Sequence, residues 1–354
     1  MSLDKLRKKI DALDAKLISL LNLRAKVTTE IGKVKINKGK SIYSPEREIQ
    51  VLRKIAGLNK GPLGKGALEA IYREVMSASL ALEKSLTIAY LGPKASFANL
   101  AALKRFGSQV NYSACNSIAD VFTQVERGEA DYGVVPVENS IEGAVSHTLD
   151  VFVDSELKIC SQIVLDVSHN LLSNCPKSKI RRVYSNPYVF GQCRSWLQKN
   201  LPDAELIDVA STTRAAEMAK KDRSSAAIAS TLASKVYGLK VLANGIEDSA
   251  HNITRFFVIG AADVERTGHD KTSLFFSVKD RVGALYDMLL PFRKYRINLT
   301  KIESRPSKKK AWEYFFFIDI LGHQNDEKVK KTLHELEKKC NYLKVLGSYP
   351  LGEQ

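Results

Sequence analysis

The segment HNITRFFVIG (residues 251–260) joins a polar entrance to the apolar run of a core strand. The run FFVI closes on a glycine, which is typical of a buried strand. Asn252, Thr254 and Arg255 lie at or before the start of that run, and such groups need partners when they are buried. The segment therefore predicts a strand, and it raises the question whether its hydroxyl and guanidinium groups do chemistry.

The chain around this strand, about residues 87–262, alternates strand patterns with helix patterns. We predict strands in LTIAYLG, ADYGVVPVENS, KIRRVYSN, ELIDVA, SSAAIAS and TRFFVIG. This alternation indicates an α/β architecture with mainly parallel sheets, whose ligands bind beyond the carboxyl ends of the strands. Polar clusters follow several of these strands, although each cluster alone is best explained as an ordinary turn or helix cap. Their members are Ser96, Glu138, Asn139, Ser140, Ser211, Thr212 and Thr213.

Five motifs of this segment occur in the order and spacing of the prephenate dehydratase family: LGPKASF, DYGVVPVENSIEGAV, SNPYVFGQC, STTRAA and NITRFFVIG. The resemblance implies two α/β subdomains around a cleft, similar to periplasmic solute-binding proteins, with the TRF strand beside the cleft. It implies that Thr254 is catalytic and that Glu138 orients its neighbours. The substrate-binding residues it implies are Ser96, Asn139, Ser140, Ser211, Thr212, Arg255 and Phe256.

The reaction implied by this resemblance needs few groups. Prephenate loses its ring hydroxyl and carbon dioxide, and the ring becomes aromatic, so the reaction is strongly downhill. The protein must supply a donor for the leaving hydroxyl and cationic or neutral donors for two carboxylates. A hydroxyl and a guanidinium meet these needs, and no cofactor is expected. Two positions depart from the family pattern, Ala95 where Gly is common and Asn186 where His is frequent, and we assign Asn186 no catalytic role.

Residues 3–36 carry a seven-residue apolar repeat. Steps of four and three alternate through Leu6, Ile10, Leu13, Leu17, Leu20, Val27, Ile31 and Val34. A helix of this length spans about 50 Å, too much for the short remainder of a small domain to cover. We therefore expect the helix to pack against a second copy of the chain, in a homodimer or a higher homo-oligomer.

Arg24 occupies an apolar slot of this repeat, where an isolated charge needs a negative partner. At about 100° per residue, Lys35 lies on the same helix face as Arg24, whereas Arg7 lies about 100° from that face. If Arg7 joins Arg24 and Lys35 in one pocket, it comes most simply from the partner chain. All three residues could instead be solvated helix charges, which is the weaker explanation for Arg24.

Residues 1–84 resemble the all-helical chorismate mutase domain in the stretches LRKKIDALDAKLISLLNLRAKV, EIGKVK, PERE and SASLALE. Chorismate rearranges in a pericyclic reaction, so the protein need only fold the substrate and stabilise charge on its ether oxygen. Arginine suits the two carboxylates of the substrate because its fork binds them bidentately. The resemblance implies a catalytic pocket that contains Arg7 of the partner subunit together with Arg24, Lys35, Arg47, Glu48, Ser79 and Glu83.

Two residues of this segment differ from those of many relatives. Ser44 replaces an Asp and is expected to cap the second helix, ahead of Pro45. Glu83 stands where a Gln often donates a hydrogen bond to the ether oxygen. A carboxyl group can donate only when it is protonated, so Glu83 would need a raised pKa.

Residues 272–354 give the element order βαββαβ, which is ferredoxin-like. The predicted elements are TSLFFSV, GALYDMLLPFRKY, INLTKIES, WEYFFFIDI, DEKVKKTLHELEKK and YLKVLGSYP. RVGALYDML with NLTKIESRP resembles the ACT regulatory domain of prephenate dehydratases, whose effector is phenylalanine, and an inert dimerisation module is the alternative. The resemblance implies effector contacts, shared across a subunit interface, from Gly283, Ala284, Leu285, Asn298, Leu299, Glu303 and Ser304.

Composition narrows the possible partners. The 354 residues carry a net charge of +15, and residues 1–84 hold 18 lysines and arginines against 9 acidic residues. That part has only two aromatic residues, Tyr43 and Tyr72, which favours small anions over nucleic acid.

Five scattered cysteines without a C-x-x-C pair argue against a disulfide framework and a structural zinc site. With no apolar run of membrane-spanning length and no apolar signal core, a cytoplasmic protein without membrane contact is expected.

The patterns and the family resemblances together imply a multidomain chain: an all-helical chorismate mutase domain in residues 1–85, a dehydratase domain in 86–262 and an ACT domain in 272–354. The predicted function is a bifunctional enzyme that converts chorismate to prephenate and prephenate to phenylpyruvate, with feedback inhibition by phenylalanine and with no metal. One alternative is a non-catalytic ligand-binding or amino-acid sensor built on the same folds. A weaker alternative, invoked from the charge, is a nucleic-acid-binding regulator.

Overall fold

The computed structural model describes residues 2–249, 251–278, 281–306 and 314–352. The chain divides into two compact units, of which the first comprises Met1–Thr87 and Arg105–Asn111 and the second Ile88–Lys104 and Tyr112–Gln354. In the described part, no helix is both long enough and apolar enough to cross a membrane.

The first unit is built on the long helix that the apolar repeat predicts. Its helices are α1 (Leu3–Asn37), α2 (Pro45–Leu58) and α3 (Lys65–Glu83), and α1 and α2 both pack on α3. Gly32 is buried where α1 meets α3, and a Cβ atom there would lie 2.9 Å from Cβ of Glu83. The glycine therefore allows the two helices to approach closely enough to bring Glu83 against α1.

The apolar repeat of α1 is exposed within this chain. Its exposed fractions run from 43% for Leu6 to 63% for Leu20. A monomeric protein rarely leaves so long a row of leucine, isoleucine and valine side chains in water.

The remaining helices and strands follow in chain order. The helices are α4 (Phe97–Phe106), α5 (Ile118–Glu126), α6 (Ser146–Asp154), α7 (Pro187–Gln192), α8 (Arg194–Asn200), α9 (Thr212–Lys221), α10 (Thr231–Tyr237), α11 (Ala284–Lys294) and α12 (Glu327–Glu337). The strands are β1 (Thr87–Leu91), β2 (Asn111–Cys115), β3 (Tyr132–Asn139), β4 (Gly143–Ala144), β5 (Lys158–Asp166), β6 (Asn170–Ser173), β7 (Arg182–Ser185), β8 (Glu205–Asp208), β9 (Ser225–Ala229), β10 (Lys240–Ala243), β11 (Ile253–Gly260), β12 (Asp270–Ser277), β13 (Leu299–Pro306), β14 (Tyr314–Leu321) and β15 (Tyr342–Pro350).

Two mixed sheets form the α/β part of the second unit. The first has the strand order β2-β1-β3-β11-β5, with β4 paired to β3, and the second has the order β10-β6-β9-β7-β8. Strand β1 is parallel to β3, and β7 is parallel to β8 and β9. Strand β11 is antiparallel to both β3 and β5, and β6 is antiparallel to β9 and β10. The prediction of mainly parallel sheets is therefore wrong.

The cause of this error is the return of the chain to the first sheet. After β10 completes the second sheet, β11 re-enters the first one from the end at which β3 finishes. The polar start of β11 consequently lies beside the polar end of β3, with Thr254 opposite Asn139. Periodicity specifies that a segment is a strand, but it does not specify the direction of its neighbours.

The C-terminal part of the second unit has the predicted βαββαβ order. Its strands pair antiparallel in the order β13-β14-β12-β15. One sheet face packs on α11 and α12 through a core that includes Phe276 and Phe292. The other face, with Phe317 and Tyr349, shares a core with Phe257 of β11. The sheet is thus buried on both sides. Trp312 and Glu313, which belong to the predicted strand WEYFFFIDI, lie outside the described residues.

Candidate functional site

The first unit encloses a cavity of about 450 Å³ between its helices. Every residue that the sequence predicts for this pocket from within one chain lines the cavity: Arg24, Lys35, Arg47, Glu48, Ser79 and Glu83. The seventh, Arg7, is exposed on α1 and is not part of the lining in this chain.

The cations of the cavity are held by neighbouring oxygens. Arg24 donates from Nη1 to Oγ of Ser79 at 2.5 Å, which joins α1 to α3. Lys35 donates from Nζ to the carbonyl of Ile42 at 2.6 Å and lies 3.4 Å from Oε2 of Glu83. The guanidinium of Arg24 retains donors for a ligand because the fork has five N–H groups. The side of the cavity between α1 and α3 is therefore cationic and suits an anion.

Glu83 has the electrostatic environment that the sequence analysis requires. Burial raises the pKa of Glu83 above its usual range, while Lys35 and Arg24 oppose this rise. The net direction is upward, so the protonated form extends to higher pH than it would for an exposed glutamate.

Glu48 has a buried partner that the sequence analysis did not identify. Nη2 of Arg105 lies 3.0 Å from Oε2 of Glu48, and Nε of Arg105 donates to the hydroxyl of Tyr43. Burial raises the pKa of Glu48, and the charge of Arg105 opposes that rise. Arg105 belongs to the predicted helix SFANLAALKRF, far from residues 1–84 in sequence, so helix patterning gave no sign of its position.

Ser44 is placed differently from the expectation. It occupies the N-cap position of α2, ahead of Pro45, but its hydroxyl makes no capping hydrogen bond. The residue lines the cavity instead. The predicted N-cap position is therefore right and the predicted hydroxyl contact is wrong.

In the second unit, Thr254 is directly bonded to a predicted neighbour. Nδ2 of Asn139 donates to Oγ1 of Thr254 at 2.9 Å and to Oδ1 of Asn252 at 2.8 Å. Oδ1 of Asn139 accepts from the backbone N–H groups of Ile141 and Glu142, which fixes which end of the amide faces the threonine. Because Thr254 accepts this bond, its own O–H proton is left to donate elsewhere.

The hydrogen-bond chain behind Asn139 contains residues that we did not select from the sequence. Nδ2 of Asn252 donates to Oε1 of Gln192 at 3.0 Å, and Nε2 of His169 lies 2.8 Å from the same oxygen. Asn252 and Gln192 also line a cavity of about 360 Å³. Gln192 and Asn252 belong to the motifs SNPYVFGQC and NITRFFVIG, whereas His169 lies outside both.

The other residues at strand ends that were predicted to contact substrate lie at helix starts or form hydrogen bonds with the nearby backbone. Ser140 donates to the carbonyl of His251 and accepts from Ile253, which ties β3 to the start of β11. Ser96 and Ser211 accept from N–H groups at the starts of α4 and α9, respectively. Thr212 is the first residue of α9. These helix starts present free N–H groups and a partial positive charge, which favour carboxylates.

Arg255 and Phe256 lie on opposite faces of β11, as strand alternation requires. Phe256 is buried on the same face as Thr254. The guanidinium of Arg255 faces the ferredoxin-like sheet, where Nη2 lies 2.6 Å from Oδ2 of Asp319. The structure therefore does not bring the Arg255 guanidinium to the side of the strand that carries the Thr254 hydroxyl.

Ala95 and Asn186, the two residues that depart from the dehydratase family pattern, both occupy defined backbone positions. Ala95 adopts a φ of 71°, the left-handed region in which glycine is unstrained. Asn186 accepts from the N–H of Tyr188 and so caps α7.

The predicted effector residues lie at two ends of the ferredoxin-like domain. Gly283 has a φ of 78° and precedes α11, which begins at Ala284 and Leu285. Asn298 and Leu299 follow α11 at the start of β13. An eleven-residue helix is about 16 Å long, so the two groups are separated by its length within one chain. Glu303 and Ser304 lie further along β13, at the sheet edge.

Metal ligands are not clustered in the part of the chain that the structure describes. No group of three or more histidine, cysteine, aspartate or glutamate side chains there could hold a metal ion.

Family models match the chain in three consecutive parts. Chorismate mutase type II matches residues 6–84, prephenate dehydratase matches residues 88–264, and the ACT domain matches residues 272–338.

Curated relatives match along nearly the whole length. A bifunctional chorismate mutase/prephenate dehydratase of Aquifex aeolicus is 51% identical, over 98% of this chain and 98% of the relative. A protein of the same name from Neisseria gonorrhoeae is 45% identical, over 97% and 96%. Among solved structures, prephenate dehydratase from Arthrobacter aurescens in complex with L-Phe is similar with a TM-score of 0.71 and 33% identity, over 75% of this chain and 90% of that one.

Proposed function

The chain belongs to the bifunctional chorismate mutase/prephenate dehydratase family, and we propose which of its residues carry the two reactions. The chorismate mutase reaction takes place in the helical cavity of the first unit. The dehydratase reaction takes place at the hydroxyl of Thr254 in the second unit. The observation that carries the mutase assignment is the meeting of Arg24, Lys35 and Glu83 around one cavity, and the dehydratase assignment rests on the hydrogen bond from Asn139 to Thr254.

In the cavity, the cations bind the substrate and Glu83 assists the bond that breaks. Arg24 and Arg47 bind the carboxylates, since guanidinium groups match their geometry. Lys35 and the protonated Glu83 donate to the ether oxygen, on which negative charge develops in the transition state. This stabilisation requires no proton transfer and no covalent intermediate.

Glu83→Gln should flatten the pH dependence of the mutase reaction. The wild-type donor is the protonated carboxyl group, so mutase kcat/KM should fall as the pH rises through the raised pKa of Glu83. A glutamine donates at every pH. The measurement is chorismate consumption across the pH range for the wild type, Glu83→Gln and the control Glu69→Gln, which alters an acid on α3 outside the cavity lining. A pH profile in the Gln variant identical to that of the wild type would sink the proposed donor role.

The mutase site is completed by a second copy of the chain. The exposed apolar repeat of α1 supports a dimer in which two such helices bury each other's stripes. In that dimer Arg7 of the partner subunit enters the cavity, since Arg7 is exposed and lies about 100° from the Arg24 face of its own helix.

Subunit mixing tests this dimer. Arg7→Ala and Arg24→Ala homodimers should both be inactive as mutases, since each site would lack one arginine. In a mixed dimer, one site combines an intact Arg24 with an intact Arg7 from the partner. Mixing equal amounts after reversible unfolding should therefore restore about a quarter of the wild-type sites. Mutase activity that stays at the level of the separate variants would exclude a shared site.

In the dehydratase site, Thr254 donates a hydrogen bond to the leaving hydroxyl, which departs as hydroxide and takes up a proton from solvent to form water. Asn139 holds the threonine oxygen as an acceptor and so directs its O–H outward. The N-termini of α4 and α9 and the hydroxyls beside them bind the two carboxylates. Carbon dioxide departs without a base, and the aromatic ring forms as the hydroxyl leaves.

Phenylalanine acts as the feedback inhibitor at the ferredoxin-like domain. The relative from Arthrobacter aurescens was solved with L-Phe, and the left-handed Gly283 leaves the N-terminus of α11 open to a small amino acid. Because Gly283 and Asn298 lie at opposite ends of α11, each bound phenylalanine would bridge two subunits. The enzyme acts in the cytoplasm, where chorismate-type metabolites and reduced cysteines are expected.

A further inference from the structure

A chain of charged side chains lies behind the strand that carries Thr254. Nη2 of Arg255 is 2.6 Å from Oδ2 of Asp319 on β14, and its Nη1 is 3.6 Å from Oε2 of Glu138 on β3. Nζ of Lys301, on β13, is 2.9 Å from Oε1 of the same glutamate. We name this series, Lys301–Glu138–Arg255–Asp319, the rear ion-pair chain. It joins two strands of the dehydratase sheet to two strands of the ferredoxin-like sheet.

Because Asp319 is buried, its carboxylate needs the ion pair with Arg255. Its side chain is fully buried, and Oδ1 accepts from Oγ of Ser273 at 2.5 Å. Ser273 is in turn 2.7 Å from the hydroxyl of Tyr349. An ionised carboxylate is costly to bury without a cation and hydrogen-bond donors. The guanidinium of Arg255, which also lies over the ring of Phe257, supplies that cation.

The rear ion-pair chain holds the residues adjacent to the reacting groups. Arg255 follows Thr254 in β11, and Glu138 precedes Asn139 in β3. The side chains of Thr254 and Asn139 meet on the front of the sheet at 2.9 Å. A shift of either strand would therefore change the direction of the Thr254 proton, and misplacement by about 1 Å can reduce a catalytic rate about 100-fold.

The same chain reaches the expected effector contacts. Lys301 lies two residues after Leu299 and two before Glu303, both on β13. A displacement of β13 on effector binding would move the ammonium group that holds Glu138.

We propose that Asp319 is a positioning residue for dehydration, and that the rear ion-pair chain transmits effector binding from β13 to Thr254. This inference rests on the proposed role of Thr254 and deepens it by naming the regulatory connection. Asp319 touches no substrate; it acts through Arg255, which it holds in place from the ferredoxin-like domain.

Asp319→Asn in the full-length protein is the test, because it removes the charge and keeps the shape. Dehydratase kcat should fall at least about tenfold, with KM within about twofold of the wild type and with mutase activity unchanged. The matched control is Glu156→Gln. Glu156 pairs with Lys344 at 3.1 Å between the same two parts of the chain, its side chain is 86% exposed, and neither residue belongs to β3 or β11, so both activities should remain at the wild-type level.

If Asp319→Asn fails to fold, as shown by loss of mutase activity and of cooperative unfolding, a second variant, Lys301→Met, provides the test. In Lys301→Met, the phenylalanine concentration that halves dehydratase activity should shift at least about fivefold. A folded Asp319→Asn variant with dehydratase kcat within about twofold of the wild type, or a Lys301→Met variant with unchanged inhibition, overturns the proposal. An inactive Thr254→Ala variant beside a normal Asp319→Asn variant would refute this inference alone. Full activity of Thr254→Ala would refute the site assignment itself.

Discussion

Thr254→Ala should abolish prephenate dehydration and leave chorismate rearrangement intact. Loss of a positioned hydrogen-bond donor to developing charge reduces a rate by about 10²–10³-fold, and in this site no other described hydroxyl is bonded to Asn139. The substrate would still bind through donors at the helix N-termini, so the loss should appear in kcat more than in KM. The mutase cavity is built from other residues and should be unaffected.

The measurement for this variant is phenylpyruvate formation from prephenate, with chorismate consumption as the internal control. Thr254→Ser keeps the hydroxyl and should retain most of the rate, which separates the proton from the packing of the methyl group. Equal dehydratase rates in the alanine variant and the wild type would remove Thr254 from the mechanism.

Arg24→Ala should produce the second large effect, a reduction of mutase kcat/KM by about 10²–10³-fold. The guanidinium contributes charge and directed N–H donors inside the cavity, and its removal also leaves Ser79 without its 2.5 Å partner. Dehydratase activity should not change, since the Thr254 site shares no residue with this cavity.

The matched control for Arg24 is Lys26→Ala. Lys26 is exposed on the same helix and does not line the cavity. The Lys26→Ala substitution removes the same charge as Arg24→Ala, so a general effect of net charge on the attraction of anions would appear in both variants. If both variants lost mutase activity equally, the specific clamp by Arg24 would be refuted.

The local elements could be predicted from the sequence because their signals are local. The apolar repeat predicts residues 3–36 as a helix, and α1 spans Leu3–Asn37. Arg24 stood out because it interrupts that repeat, and Lys35 because it shares the same face. The cavity confirms that these two side chains lie together.

The contacts between distant segments could not be predicted in the same way. Arg105 is one charge among many on a helix until the fold brings it beside Glu48. Arg255 was expected at the substrate because the family resemblance implied it, yet Arg255 and Thr254 are adjacent on a strand and so face opposite sides. Its partner, Asp319, lies 64 positions along the chain in another domain, and no periodicity links the two.

The two proposed sites rely on similar chemistry in unrelated folds. In both proposals, fixed donors bind a small dicarboxylate, and an ion pair lies behind the site: Arg105 with Glu48 in one, and Asp319 with Arg255 in the other.

The most direct measurement is a two-stage assay on full-length protein treated with a chelator to strip metal ions. Chorismate is supplied, and prephenate and phenylpyruvate are followed with and without phenylalanine. We expect chorismate to be converted through prephenate to phenylpyruvate, with phenylalanine suppressing the second step and with Thr254→Ala stopping at prephenate. Metal-stripped protein that leaves chorismate unchanged, or that needs an added metal ion to form phenylpyruvate, would contradict the account.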